Sequence, residues 1–203
     1  EFGCTRNTVR RALSMLADQM FVQPIHGKGV RVIWLKGETD MLGALEEVES
    51  FGEFAKRNNA VASTEVKSFE HLICTEQLSR RLGFKVGEEL IRVVRVRSLN
   101  GSARQVDHGY FLESIAKGLT PEIAADSIYG YLEHKCGVKV MASRRTVSVE
   151  LANDEDCSYL DLGKYNCVAV MESQSYTSDG ILFEVTHART HPEIFHYRVN
   201  SKR

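Results

Sequence analysis

The stretch at residues 90–112, LIRVVRVRSLNGSARQVDHGYFL, restricts the possible folds of this chain more than any other. Residues 90–99 are dense in β-branched side chains, Asn100-Gly101 follows, and residues 106–112 offer a returning strand. Asn-Gly accepts the positive φ angles of a tight turn whose twist matches that of the flanking strands, so the prediction is an antiparallel hairpin. Residues two apart in a strand share a face, which makes Arg95 and Arg97 project together about 7 Å apart. Two parallel guanidiniums suit a phosphate or a carboxylate. Asp107 falls on the returning strand, where it can accept hydroxyls or pair with one of the arginines. The pattern alone leaves open whether the arginines hold a ligand or bridge surface acids.

The rest of the chain adds helices between further antiparallel strands. Residues 41–57 read as a helical segment carrying Leu42, Leu45, Val48, Phe51 and Phe54, and residues 65–69 as a strand. Thr75 caps a helix that stops at Gly83. Thr120-Pro121 opens a short helix, and Ser127 caps another that ends near Gly137. A helix start exposes free N–H groups, so Ser127 and Tyr129 are candidates to face an anion, although Ser127 is equally explained as a cap. Strand residues 138–151 precede a helix capped by Asn153, with acids in its first turn where the helix dipole favours them. Strands are then expected over 167–177, 181–190 and 195–199, with a turn at 178–180. Helices mixed with hairpins and no βαβ rhythm give an α+β fold class.

The first 33 residues have a different character. Thr5 is a good N-cap, and Val9, Ala12, Leu13 and Leu16 form one apolar stripe, with Arg6, Asn7, Arg10 and Arg11 away from it. Residues 21–24 and 30–33 flank His26-Gly27-Lys28-Gly29, a hairpin tip in which glycine supplies unusual backbone angles. A helix followed by a β-wing results. Residues 1–36 hold six Lys/Arg against two acids, a balance of +4, whereas the remainder is −5. A helix beginning Thr5-Arg6-Asn7-Thr8-Val9-Arg10 suits phosphate and guanine-edge contact in a major groove, and a glycine tip bearing Lys28 suits the adjacent groove. The alternative is an amphipathic surface helix beside an unrelated hairpin. The stripe needs other helices to pack on. Because the chain does not begin with Met and EFG at residues 1–3 looks like a helix end, those helices are expected upstream.

At 203 residues, 43% of them hydrophobic and 26% charged, with no stretch of 18 uninterrupted apolar residues, the chain reads as a globular cytoplasmic protein with no membrane partner. Five widely spaced cysteines without a CxxC pair suggest neither a disulfide framework nor a zinc site.

CTRNTVRRALSMLADQMFVQPIHGKGVRVI resembles the second half of the winged helix-turn-helix of GntR-family transcription regulators. VVRVRSLNGSARQVDHGYF, SIYGYLE and LFEVTHAR are similar, in order, to the UTRA effector domain of its HutC-type subfamily, a chorismate-lyase-like antiparallel-sheet fold. The resemblance implies three regions: 1–33, the recognition helix and wing of a DNA-binding domain; 34–40, a linker; and 41–203, the effector domain. It implies DNA contacts from Thr5, Arg6, Thr8, Arg10, Gly27, Lys28 and Gly29. For the effector it implies an anion site of Arg95, Arg97, Ser127 and Tyr129, polar contacts from Asp107 and Glu184, and closure by Ser50 and Phe51. The partners implied are a pseudo-palindromic operator, a second copy of the chain and a small anionic effector. Asp107 stands where many members have Glu, and Thr190 where amino-sugar-sensing members carry Tyr, which points away from an amino-sugar phosphate. FVQPIHGKG, SIYGYLE, NDEDCSYLDLGKY and FEVTHARTH are most similar to repressors of trehalose operons, which implies a sugar phosphate such as trehalose 6-phosphate.

The main rival is an enzyme acting on a small carboxylate, since the effector fold is shared with a lyase. No HExxH, GxSxG or P-loop is present. His187 and His191 lie in a strand-like pattern that sets them about 13 Å apart, too far to share a metal. The expectation is therefore a regulator without catalytic residues, metal or cofactor.

Overall fold

A computed structural model describes residues 3–33, 42–43 and 49–197. The chain divides into two compact units, one of Glu1–Asp40 with Arg198–Arg203, the other of Met41–Tyr197.

In the first unit α1 (Arg6–Asp18) starts at Thr5, whose hydroxyl accepts the Thr8 backbone N–H. Arg6, Arg10 and Arg11 are exposed, and α1 buries none of its own residues; Val9 and Leu16 of the apolar stripe remain open. Strands β1 (Val22–Ile25) and β2 (Gly29–Val32) pair antiparallel. Gly27 and Gly29, at φ 70° and 91°, allow the tip to turn where a side chain would be strained.

The second unit opens with β3 (Leu42–Gly43) and α2 (Phe51–Arg57). This corrects the expectation of one helical segment over 41–57. Leu42 and Gly43 are extended, and the helix begins only where Ser50 and Glu53 form a reciprocal capping box. Leu45 and Val48, like the linker at 34–40, lie outside the described residues. Strand β4 (Ala62–Ile73) is longer than the five residues expected, because polar side chains at both ends hide its alternation. Helix α3 (Glu76–Leu82) runs from its Thr75 cap to Gly83, which is left-handed at φ 90°.

Strands β5 (Glu89–Leu99) and β6 (Ser102–Leu112) form the expected hairpin, with Asn100 and Gly101 at φ 51° and 84°. Helices α4 (Pro121–Ala125) and α5 (Ile128–His134) follow, then β7 (Val140–Leu151) and α6 (Asp154–Tyr159). Strands β8 (Cys167–Thr177) and β9 (Leu182–Thr190), a 3-10 turn at Pro192–Ile194 and β10 (His196–Tyr197) complete the unit. Helix α6 stops three residues before Leu162, because Leu160 turns extended and both leucines are buried under the sheet.

Six strands form one antiparallel sheet in the order β4-β5-β6-β9-β8-β7, while β10 pairs in parallel with β3. The alternation along β5 and β6 places the site. Val94, Val96 and Val106 point into a core closed by Leu160, Leu162, Val168 and Val170, so Arg95, Arg97 and Asp107 must face the opposite side. A larger core around Phe111, Phe183, Leu90 and Leu132 joins the far end of the sheet to α3, α4 and α5.

Candidate effector site

The face opposite Val94 and Val96 borders a cavity of about 290 Å³. Arg95 and Asp107 are direct partners in the β5–β6 register. Both are 3% exposed, and Arg95 Nη2 lies 2.5 Å from Asp107 Oδ2. Arg97 Nη2 reaches the same oxygen at 2.8 Å, and its guanidinium lies 5.1 Å from the centre of the Phe51 ring. One carboxylate thus serves two guanidiniums, which leaves the corner with an excess positive charge. The Nε atoms of both arginines are buried and make no hydrogen bond among the described residues. Burying donors unpaired costs free energy.

Burial pushes the Asp107 carboxyl up, but Arg95 and Arg97 outweigh that and hold it at about 2. Burial and the neighbouring Arg97 pull Arg95 down; a guanidinium nevertheless stays charged at neutral pH.

Tyr129 and Glu184, which also line the cavity, belong to a second polar cluster. The Tyr129 hydroxyl donates to Glu184 and lies 3.2 Å from Ser175 Oγ. Glu184 is 3% exposed. Burial raises its pKa, the hydrogen bonds from Tyr129 and Ser175 oppose the rise, and Asp107 adds to it. Burial and the Glu184 charge push the Tyr129 phenol well above its usual value.

Ser50, Phe51, Arg95, Arg97, Asp107, Ser127, Tyr129 and Glu184, the residues singled out in the sequence, all line this cavity. Ser127 does so while also capping α5, its hydroxyl accepting the Gly130 N–H at 3.0 Å. Sequence reasoning missed Gln105, Arg145, Ser173 and Thr186 on the same wall. The signal was present, since positions 105, 184, 186 and 188 share the parity of Asp107 or Glu184 along β6 and β9. What was lacking was the strand order that brings β7 and β8 to the same face.

Thr5, Arg6, Thr8 and Arg10 gather at the start of α1, and Gly27, Lys28 and Gly29 form the tip between β1 and β2; all are exposed. His187 sits beside the His108 ring, whereas His191 packs on Tyr165, and the described residues contain no cluster of metal-ligating groups.

The sequence profile of the UTRA domain matches residues 57–196. The chain belongs to the UTRA family of GntR-type regulators. Over 197 residues this UTRA chain is 29% identical to the HTH-type transcriptional regulator TreR of Bacillus subtilis, covering 97% of the chain and 82% of TreR. The solved effector-binding domain of the B. subtilis trehalose repressor superposes on it with a TM-score of 0.61 at 27% identity, covering 70% of this chain and 98% of that one. The possible transcriptional regulator YydK of B. subtilis shares the fold, with a TM-score of 0.73 at 22% identity, over 99% of this chain and 85% of its own. The family and these relatives are regulators, which removes the lyase alternative and leaves the cavity to be explained as a binding site.

Proposed function

We propose that this protein is a DNA-binding repressor whose operator affinity is controlled by a small phosphate-bearing effector held in the cavity. The observation that carries the reading is the pair of arginines on the cavity wall that share the single carboxylate of Asp107, two positive charges against one negative. A phosphate offers several acceptor oxygens to donors held in a fixed fork. Trehalose 6-phosphate is the first candidate: Glu184 and Thr190 on the cavity wall supply carboxyl and hydroxyl partners for a sugar, Ser127 and Tyr129 join the arginines at the phosphate, and the solved relative is a trehalose repressor. Thr190 in place of a larger aromatic residue leaves room there.

In this reading residues 1–33 are the DNA-contacting region, 34–40 the linker and 41–203 the effector domain. The protein acts in the cytoplasm, where its DNA is; no helix among the described residues is long and apolar enough to cross a membrane. It binds as a homodimer, because one recognition helix and wing contact few base pairs and two-fold partners on a pseudo-palindrome double them.

A thermal-shift screen of the chain against sugar phosphates and small carboxylates tests the effector class. The expected result is a rise in melting temperature with phosphorylated sugars that the unphosphorylated sugars do not produce. A response confined to carboxylates, or none to any phosphate, contradicts the reading.

A further inference from the structure

The polar lining of the cavity continues well beyond the Arg95–Arg97–Asp107 corner. Reading the register across the sheet, one row runs from Arg95 and Asp107 through Ala188 to Met171, so the charge of the corner gives way to a neutral floor. The neighbouring row ends differently. It passes from Thr186 on β9 to Ser173 on β8 and then to Arg145 on β7, and all three line the cavity.

Arg145 therefore stands at the opposite end of the cavity from the arginine pair. Between β5 and β7 lie β6, β9 and β8, four steps of about 4.8 Å, so the two backbones are separated by roughly 19 Å along the sheet. Long side chains reaching inward shorten that span without erasing it.

We propose that Arg145, with Ser173 and Thr186, is a second anchor that fixes the far, hydroxyl-bearing end of the effector and selects a disaccharide phosphate over a monosaccharide phosphate. The proposal rests on the effector reading above. An effector seated on Arg95 and Arg97 has to extend along the floor past Ala188 to meet the β7 side, and two linked rings cover more of that length than one. A guanidinium offers five donors and no acceptor, which suits adjacent sugar hydroxyls used as acceptors; the Ser173 and Thr186 hydroxyls both donate and accept, and so take the hydroxyl protons. The small Ala188 side chain between the two ends leaves the floor open to the rings.

The test is calorimetric titration of the chain and of Arg145→Ala with glucose 6-phosphate, trehalose 6-phosphate and sucrose 6-phosphate. Wild type is expected to prefer at least one disaccharide phosphate, and R145A to lose about tenfold or more in affinity for it while holding glucose 6-phosphate within about twofold, the loss matching removal of hydrogen bonds from a charged donor. If R145A melts before it can be titrated, Arg145→Gln, which keeps the stem without the charge, carries the same expectation. Equal losses for one-ring and two-ring ligands overturn the proposal by showing that all three arginines converge on the phosphate. Unchanged affinity for every ligand overturns it as well. Wild type that binds none of the three phosphates overturns the effector reading, and this inference with it.

Discussion

Asp107 carries more of this site than its size suggests, because two guanidiniums depend on one of its oxygens. Asp107→Asn leaves both in place without their counter-charge, and the cost expected for breaking a buried pair is about 3–5 kcal/mol, read as a lower urea midpoint. The pH dependence follows from the sign of the shift. The carboxyl is depressed from 3.8 to about 2 in the folded chain, so its stabilisation is complete above the unfolded value and fades as pH falls from about 4 towards 2. Glu184 behaves in the opposite way. Burial raises its folded pKa, so the folded chain keeps a proton that the unfolded chain has released, and stability declines as pH rises from 4.5 through the raised value. Glu184→Gln should remove that decline from a series of melting temperatures against pH. A parallel decline in wild type and variant would assign it to other groups.

At the scale of elements, the hairpin of β5 and β6 was readable because three independent signals agree there: β-branched density, the Asn-Gly turn and the alternation of valines with Arg95, Arg97 and Asp107. The caps at Thr5, Thr75, Thr120, Ser127 and Asn153 were readable for a similar reason, since each is a local contact of a side chain with a backbone N–H. Helix α2 was misjudged over 41–50 because Leu42, Leu45 and Val48 imitate a helical stripe, whereas Leu42 and Gly43 are held by a pairing with His196 and Tyr197 far along the chain. Long-range pairing leaves no local mark. In the sequence the acids opening α6 have the look of dipole partners alone, yet Asp156 is fully buried and takes Arg189 Nε at 2.9 Å and 3.0 Å and Nη2 at 2.9 Å. Arg189 also reaches Glu150 at 2.5 Å, which ties α6 and β7 to β9 on the face opposite the cavity. Asp156→Ala should therefore cost about 3–5 kcal/mol by chemical denaturation, well beyond the ~1 kcal/mol of a lost cap. A loss of cap size alone would mean that Arg189 finds another partner.

For the whole molecule, two tasks divide between two units. In the proposed reading, operator binding falls to the unit holding α1 and the wing. On any length of the protein that binds its operator, Arg6→Ala, Arg10→Ala and Lys28→Ala should each weaken binding and, where a phosphate contact is lost, flatten the salt dependence by about one unit of slope. Unchanged affinity in all three would separate this surface from DNA. Effector binding falls, in the same reading, to the unit built on the six-stranded sheet, and there Arg97 offers the most direct examination. It is less buried than Arg95, so its removal should leave the fold intact while taking a charged fork from the anion. The deciding measurement is calorimetric titration of wild type and Arg97→Ala with trehalose 6-phosphate, after equal melting temperatures have shown both to be folded. Saturable binding by wild type is expected, weakened in the variant by about 1.5–3 kcal/mol or more. Equal affinity in the two proteins would contradict the reading.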